Sequence, residues 1–276
     1  MLSYDNLEGV ELALKRSLTV AKRLWFSYLA HKSDYILYTH NCLFVFLVFS
    51  LVPLPWALVE LYWFYAVDRF KLQPRVKRSF PELFKCYKDV LHQFIFVVAP
   101  LIIVSFPVLE WVGIHTSLPL LTKWEVISQL IVYFLVEDYT NYWIHRFLHA
   151  LQWGYEKINY IHHEYNAPIG FATPYTHWVE ILILGILTFL GLAKVPCHMI
   201  TLWLWSSLCQ VKAIETHRGY NFPWNSTKLI PFYGGLAYHD FHHFAGRQCQ
   251  SNFASIFTYC DYLYGIDKLE EQVKKH

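Results

Sequence analysis

Apolar residues come in long runs, and the breaks between them are short and marked by proline or charge. Residues 36–52 (ILYTHNCLFVFLVFSLV) and 56–67 (WALVELYWFYAV) are split by Pro53-Leu54-Pro55, which removes helical amide donors at that point. A second pair covers about 93–112 and 124–144 and is joined by GIHTSLPLLT, a turn-rich stretch without a formal charge. A third pair, 178–193 and 197–213, turns at Lys194-Val195-Pro196. The pattern predicts three apolar hairpins within about 36–67, 93–144 and 178–213. The 56–67 run is too short to span alone, because a bilayer needs roughly 20 apolar residues. Every backbone amide must be satisfied inside lipid, and the ten-residue alternation of a membrane barrel is absent. The predicted fold class is therefore all-α: an integral membrane helical bundle with four to six embedded segments.

Charge orients that bundle. Lys22, Arg23 and Lys32 precede the first hairpin, and Arg69, Lys71, Arg75, Lys77 and Arg78 follow it, so the positive-inside rule puts both flanks in the cytosol. The longer polar parts, 145–177 and 214–265, fall on the same side. Composition agrees with a membrane chain: 55% of the 276 residues are hydrophobic and 16% are charged, against roughly 25% charged in soluble proteins. A net charge of +2 gives no reason to expect nucleic acid as a partner. The six cysteines (Cys42, Cys86, Cys197, Cys209, Cys249 and Cys260) show no CxxC spacing, so neither a disulfide framework nor a zinc finger is expected. The amino terminus carries Asp5, Glu8 and Glu11 without an apolar core, unlike a cleavable signal peptide. No repeat or long linker divides the chain, which is expected to form a single domain over 1–276.

Chemistry is concentrated in three short histidine clusters: His145 with His149, His162 with His163, and His239 with His242 and His243. Imidazole is the commonest metal ligand, and i, i+3, i+4 spacing puts such side chains on one helical face. Seven clustered histidines exceed the four ligands of one tetrahedral zinc, so two metal ions are expected in a cytosolic histidine-rich cap. In LIVYFLVEDYTNYWIHRFLH, the residues Asp138, Asn141, His145 and His149 fall within a stripe of about 80°. An ionisable residue at that depth is costly, and Asp138 is assigned to orienting a ligand from a neighbouring helix. Asp240, directly after His239, is assigned the same kind of role. His177 and His217 end apolar segments and are the next candidate ligands, whereas His31, His40, His92, His115, His198 and His276 lack partners at ligand spacing. Asn159 stands three residues before His162, where the third cluster has His239 three residues before His242. A dinuclear site of neutral imidazoles at a membrane surface suits iron that activates O2. Zinc hydrolysis lacks its HExxH motif, and haem needs two facing histidines rather than three clusters.

HxxxH followed by two HxxHH-type boxes resembles the fatty acid hydroxylase superfamily. The phrases WGYEKINYIHHEYNAPIGFATPYTHWVE, AIETHRGYNFPW, IPFYGGLAYHDFHH and QSNFASIFTYCDYLYG are similar to the plant methylsterol monooxygenase family, over about residues 33–268. The resemblance implies an endoplasmic reticulum enzyme with two non-haem irons (Fe), using O2 and electrons relayed from NAD(P)H through cytochrome b5. Its implied reaction oxidises a C4 methyl group of a 4,4-dimethyl- or 4-methylsterol precursor stepwise to the carboxylate, alongside other sterol C4-demethylation proteins. The implied iron ligands are His145, His149, His162, His163, His239, His242 and His243. The chain departs from the family pattern at Asn159, in place of a box histidine, and at Arg218 and Asn221. Two alternatives stand beside this reading: an acyl-lipid hydroxylase or desaturase of the same superfamily, and a catalytically impaired relative that binds sterol or partner enzymes. The tail EEQVKKH is close to a dilysine retrieval signal but has Lys274 and Lys275 one place too near the end.

Overall fold

A computed structural model describes residues 7–268 except 16, 30, 31, 63, 64, 117, 119 and 249. The expectations placed on His31, Cys249, His276 and the Lys274-Lys275 tail lie outside the described residues. The helices in chain order are α1 (Leu7–Leu14), α2 (Val20–Leu29), α3 (Asp34–Leu51), α4 (Leu54–Tyr62) and α5 (Tyr65–Asp68). They continue as α6 (Phe80–Gln93), α7 (Ala99–Val104), α8 (Phe106–Val112), α9 (Lys123–Ala150) and α10 (Gln152–Lys157). The last are α11 (Trp178–Lys194), α12 (Met199–His217), α13 (Gly235–Ala245) and α14 (Tyr259–Leu263). Among the described residues the only extended pairings are isolated bridges, so the fold is all-helical.

Local chemistry sets the helix starts. Thr122 Oγ1 accepts from the Glu125 amide at 3.3 Å while Glu125 returns a carboxylate oxygen to the Thr122 amide at 2.7 Å, a capping box that opens α9. Ser79 and Glu82 open α6 in the same way. At the far end of α8, Gly113 takes φ +82°, the left-handed turn that stops the helix without a Cβ penalty. Two stretches are long and apolar enough to cross a membrane, Asp34–Tyr62 and Phe80–Val112, and most of their side chains are not buried in the protein. That exposure separates them from the core helices of a soluble protein. The second stretch carries a π-helical segment at Phe94–Val98, just before Pro100.

The breaks expected after residue 112 and at Lys194-Val195-Pro196 are present, at Gly113 and from Val195, yet the helices find their main partners farther along the chain. α3 packs on α12 and α9 packs on α11. At the second crossing a Cβ on Gly191 would stand 3.0 Å from the Tyr133 Cα, so a larger residue there would push the two helices apart by a few tenths of an ångström. The core beside it gathers Trp25, Leu37, Tyr38, Leu109, Tyr133, Leu192, Met199, Leu202 and Trp205. Its buried aromatics keep polar partners: Tyr133 Oη donates to the Val195 carbonyl and Trp205 Nε1 to that of Thr188. The result is a scaffold that brings the carboxyl ends of α9 and α12 beside α13.

Candidate metal centre

The three histidine clusters converge into two groups that cut across the sequence clusters. His145, His149, His163 and His242 present ring nitrogens within 4.8 Å of one another, and so do His162, His217, His239 and His243. Neighbouring His162 and His163, on the 3-10 turn Asn159–Glu164, part company because adjacent helical side chains point in different directions. On α13, His242 joins the first group while His239 and His243 join the second. The groups adjoin: the ring centroids of His163 and His243 are 4.6 Å apart, those of His162 and His243 4.7 Å.

The donor set suits metal ions. His149 Nε2 stands 3.1 Å from His163 Nε2, and His239 Nε2 stands 3.2 Å from His217 Nε2 and 3.1 Å from His243 Nε2. With metal–nitrogen bonds of about 2.1 Å, two imidazole nitrogens at right angles around one ion are separated by about 3.0 Å. Buried His145 Nε2, His163 Nδ1, His242 Nε2 and His243 Nδ1 have no hydrogen-bond partner. The opposite nitrogens of several rings are meanwhile tied down: His145 Nδ1 to the Phe253 carbonyl at 3.0 Å, His242 Nδ1 to the Ser251 carbonyl at 3.0 Å, and His217 Nδ1 to the Ala213 carbonyl at 2.7 Å. A carbonyl acceptor fixes the tautomer that leaves Nε2 free to ligate. Burial pushes His162 down to about 4, and burial with neighbouring imidazoles holds His163, His239, His242 and His243 well below the ordinary histidine range. All five are neutral, as ligation requires.

Other expectations are corrected by the geometry. His177 belongs to neither group; its Nδ1 accepts from the Val179 amide at 3.3 Å and caps α11. Asp138 orients no histidine directly, because its Oδ1 takes the backbone amides of Ile256 at 2.7 Å and Phe257 at 3.2 Å. Asp240, pushed up to about 7 by burial, accepts from Gln73 Nε2 at 3.1 and 3.2 Å and ties α13 to the 69–79 loop. Asn159 is fully buried and donates through Nδ2 to Glu180 Oε1 at 3.1 Å, while its Oδ1 has no partner. Glu180 also accepts from Thr176. Arg218 pairs with Glu215 at 3.4 Å and lies over the Trp56 ring.

Sequence reasoning missed Asp261. Its carboxylate accepts from the amides of Phe253 at 3.1 Å and Ala254 at 2.8 Å. Asp138 and Asp261 together pin the 251–257 segment, whose carbonyls in turn hold His145 and His242. The one advance signal was an aspartate in a phrase of otherwise aromatic and small residues, and a backbone carbonyl leaves no signature of its own.

A cavity of about 680 Å³ ends on this cluster. His145, His162, His217 and His239 form its polar end, and Leu101, Ile102, Val112, Leu184, Phe189 and Leu202 line the apolar remainder. Its volume lies within the roughly 300–1,000 Å³ of small-molecule sites.

Comparison with known proteins follows the same lines. Residues 130–266 match the fatty acid hydroxylase family. Methylsterol monooxygenase 1-2 of Arabidopsis thaliana is 59% identical over 270 residues, 97% of this chain and 90% of the relative. Methylsterol monooxygenase 1-1 of the same plant is 58% identical over 284 residues, 100% of this chain and 95% of the relative. A protein of Oryza sativa subsp. japonica named very-long-chain aldehyde decarbonylase GL1-10 is 60% identical over 268 residues, 97% of this chain and 89% of the relative. No solved structure matches.

Proposed function

This chain belongs to the methylsterol monooxygenases of the fatty acid hydroxylase family, and from that premise we propose that it oxidises a C4 methyl group of a 4,4-dimethyl- or 4-methylsterol precursor. The observation that carries the reading is the apolar cavity ending on four imidazoles drawn from both histidine groups. A sterol is a rigid apolar body with one reacting end, and such a cavity buries the body while presenting the end to the metals. In this reading His145, His149, His163 and His242 hold one iron, and His162, His217, His239 and His243 hold the other. When bound, the iron pair supplies O2 activation, with electrons from NAD(P)H through cytochrome b5. The chain contributes ligand placement, a dry cavity, and carbonyl acceptors that keep each imidazole in one tautomer.

The proposal extends to setting. Both apolar stretches and the basic flanks favour a single multi-pass domain in the endoplasmic reticulum membrane with the histidine cap in the cytosol, near the other C4-demethylation proteins. Against the catalytically impaired alternative stands the arithmetic of the ligands: four imidazoles in each group, with His217 supplying the eighth and none required from position 159. The acyl-lipid alternative, and the aldehyde named for the rice relative, are separated by substrate. Expression in cells lacking sterol C4-demethylation should remove accumulated 4,4-dimethylsterols. Their persistence, with iron-loaded protein present and a fatty acyl or aldehyde substrate consumed instead, would overturn the sterol reading.

A further inference from the structure

The cavity is mostly apolar, and besides its histidines its charged lining residues are Glu137, Glu180 and Lys212. Glu137, Asn141 and His145 follow one another at i, i+4 and i+8 on α9 and share a stripe facing the cavity. From α12, Lys212 Nζ reaches the two Glu137 carboxylate oxygens at 3.1 and 3.0 Å and Ser255 Oγ at 3.1 Å. Among the described residues that line the cavity, Lys212 is the one cation. Asn141 Nδ2 donates to Glu137 Oε1 at 3.4 Å, and its Oδ1 accepts no hydrogen bond among the described residues. A buried ion pair is weak as a source of stability, because desolvation offsets its attraction, and an ionisable residue at membrane depth points to a role in function.

Resting on the sterol reading, we propose that Asn141, with the Glu137–Lys212 pair and Ser255, is the recognition site for the sterol ring hydroxyl. That hydroxyl sits on the carbon next to the one bearing the methyl group. Its oxygen and the reacting methyl are therefore immediate neighbours, and whatever binds the oxygen aims the methyl. Asn141 lies one helical turn, about 6 Å of rise, from His145. A hydroxyl donating to Asn141 Oδ1 leaves the methyl group at the histidine end, while Ser255, whose Oγ accepts from Lys212, offers its O–H to the hydroxyl oxygen. The other carboxylate on the wall, Glu180, already has one oxygen engaged by Asn159 and the other by Thr176. A simple acyl chain has no hydroxyl to meet this wall, so the same residues separate sterol from fatty substrates.

The test compares a 4,4-dimethylsterol with its 3-deoxy counterpart, using the iron-loaded protein in lipid nanodiscs and reading equilibrium binding beside kcat/KM. The unmodified protein should favour the hydroxylated sterol by at least about 100-fold, since sites built to hydrogen-bond a hydroxyl reject analogues lacking it. Asn141→Leu should shrink the preference to about tenfold or less with iron content unchanged, and Asn141→Asp, which keeps an acceptor, should retain most of it. Should Asn141→Leu fold poorly, the double variant Glu137→Leu/Lys212→Met, apolar on both sides, should show the same loss. Equal binding of the two sterols by the unmodified protein, or full preference in a folded variant, overturns the inference while leaving sterol oxidation intact. Turnover of an aldehyde or acyl chain with no sterol bound sinks the parent reading, and this inference with it.

Discussion

A histidine's place in a motif does not decide which group of ring nitrogens it joins. His162 and His163 are adjacent and point into different groups, and His217, outside every box, completes the second. His177, which also ends an apolar segment, spends its Nδ1 on the α11 amide instead. The two therefore make a paired test. His217→Ala should remove about one of two bound iron equivalents, as His239→Ala should, because a ligand set of four drops to three. His177→Ala should leave iron untouched and cost about 1 kcal/mol of stability through the lost helix cap. Metal analysis of the purified variants reads the first effect and thermal unfolding the second; equal iron loss in both would return His177 to the ligand set. The same analysis addresses Asn159, since two equivalents in the unmodified chain require no ninth imidazole.

Ligand geometry is held at the level of elements, by the segment between α13 and α14. Residues 251–257 have no regular helix, yet their carbonyls fix His242 and His145 while Asp261 and Asp138 take their amides. Asp261→Ala leaves two buried amides unpaired, at about 1–3 kcal/mol each. The expected outcome is a lower unfolding temperature together with loss of iron from the His145–His242 group, whereas full iron content in a destabilised protein would show that the segment supports the fold but not the ligands. This device also marks what could be read in advance. The apolar runs, the turn at Gly113 and seven of the eight grouped histidines follow from periodicity and spacing, and His217 from its place at the end of an apolar segment; the membrane-length stretches Asp34–Tyr62 and Phe80–Val112 do not, since they run across the Pro53–Pro55 break and into the charged 69–92 part. The roles of Asp138 and Asp240 did not, because a carboxylate two turns from a histidine can bind the backbone of a distant segment, and helix spacing carries no information about where that segment lies. The pairing of α3 with α12 and α9 with α11 was hidden for the same reason: apolar runs predict burial in lipid or protein but not the partner.

For the whole molecule, the proposed orientation puts all eight grouped histidines on one side of the membrane, with the cavity leading from them into the apolar bundle. The exposed positions Lys85, Lys157 and Arg247 flank the parts bearing or bordering the histidine cap, and Lys123 begins α9 at the opposite end from His145 and His149. α9 is 28 residues long, which at 1.5 Å per residue is about 42 Å, more than the roughly 30 Å hydrocarbon core. Its length therefore allows its two ends to face different compartments, although α9 is not one of the two stretches that are also apolar enough to cross. Single cysteines at positions 85, 157 and 247, in a background without other reactive thiols, should react with an impermeant maleimide from the cytosolic side of sealed microsomes, and one at 123 only after the membrane is opened. Protection at 157 and 247 but not at 85 would put the histidine cap on the lumenal face and remove cytochrome b5 as its electron source. Labelling of 123 together with the other three would mean that α9 lies within one leaflet; the cavity would then be reached from the cytosolic leaflet alone, and the basic residues at 69–78 would mark its depth rather than the orientation of a span.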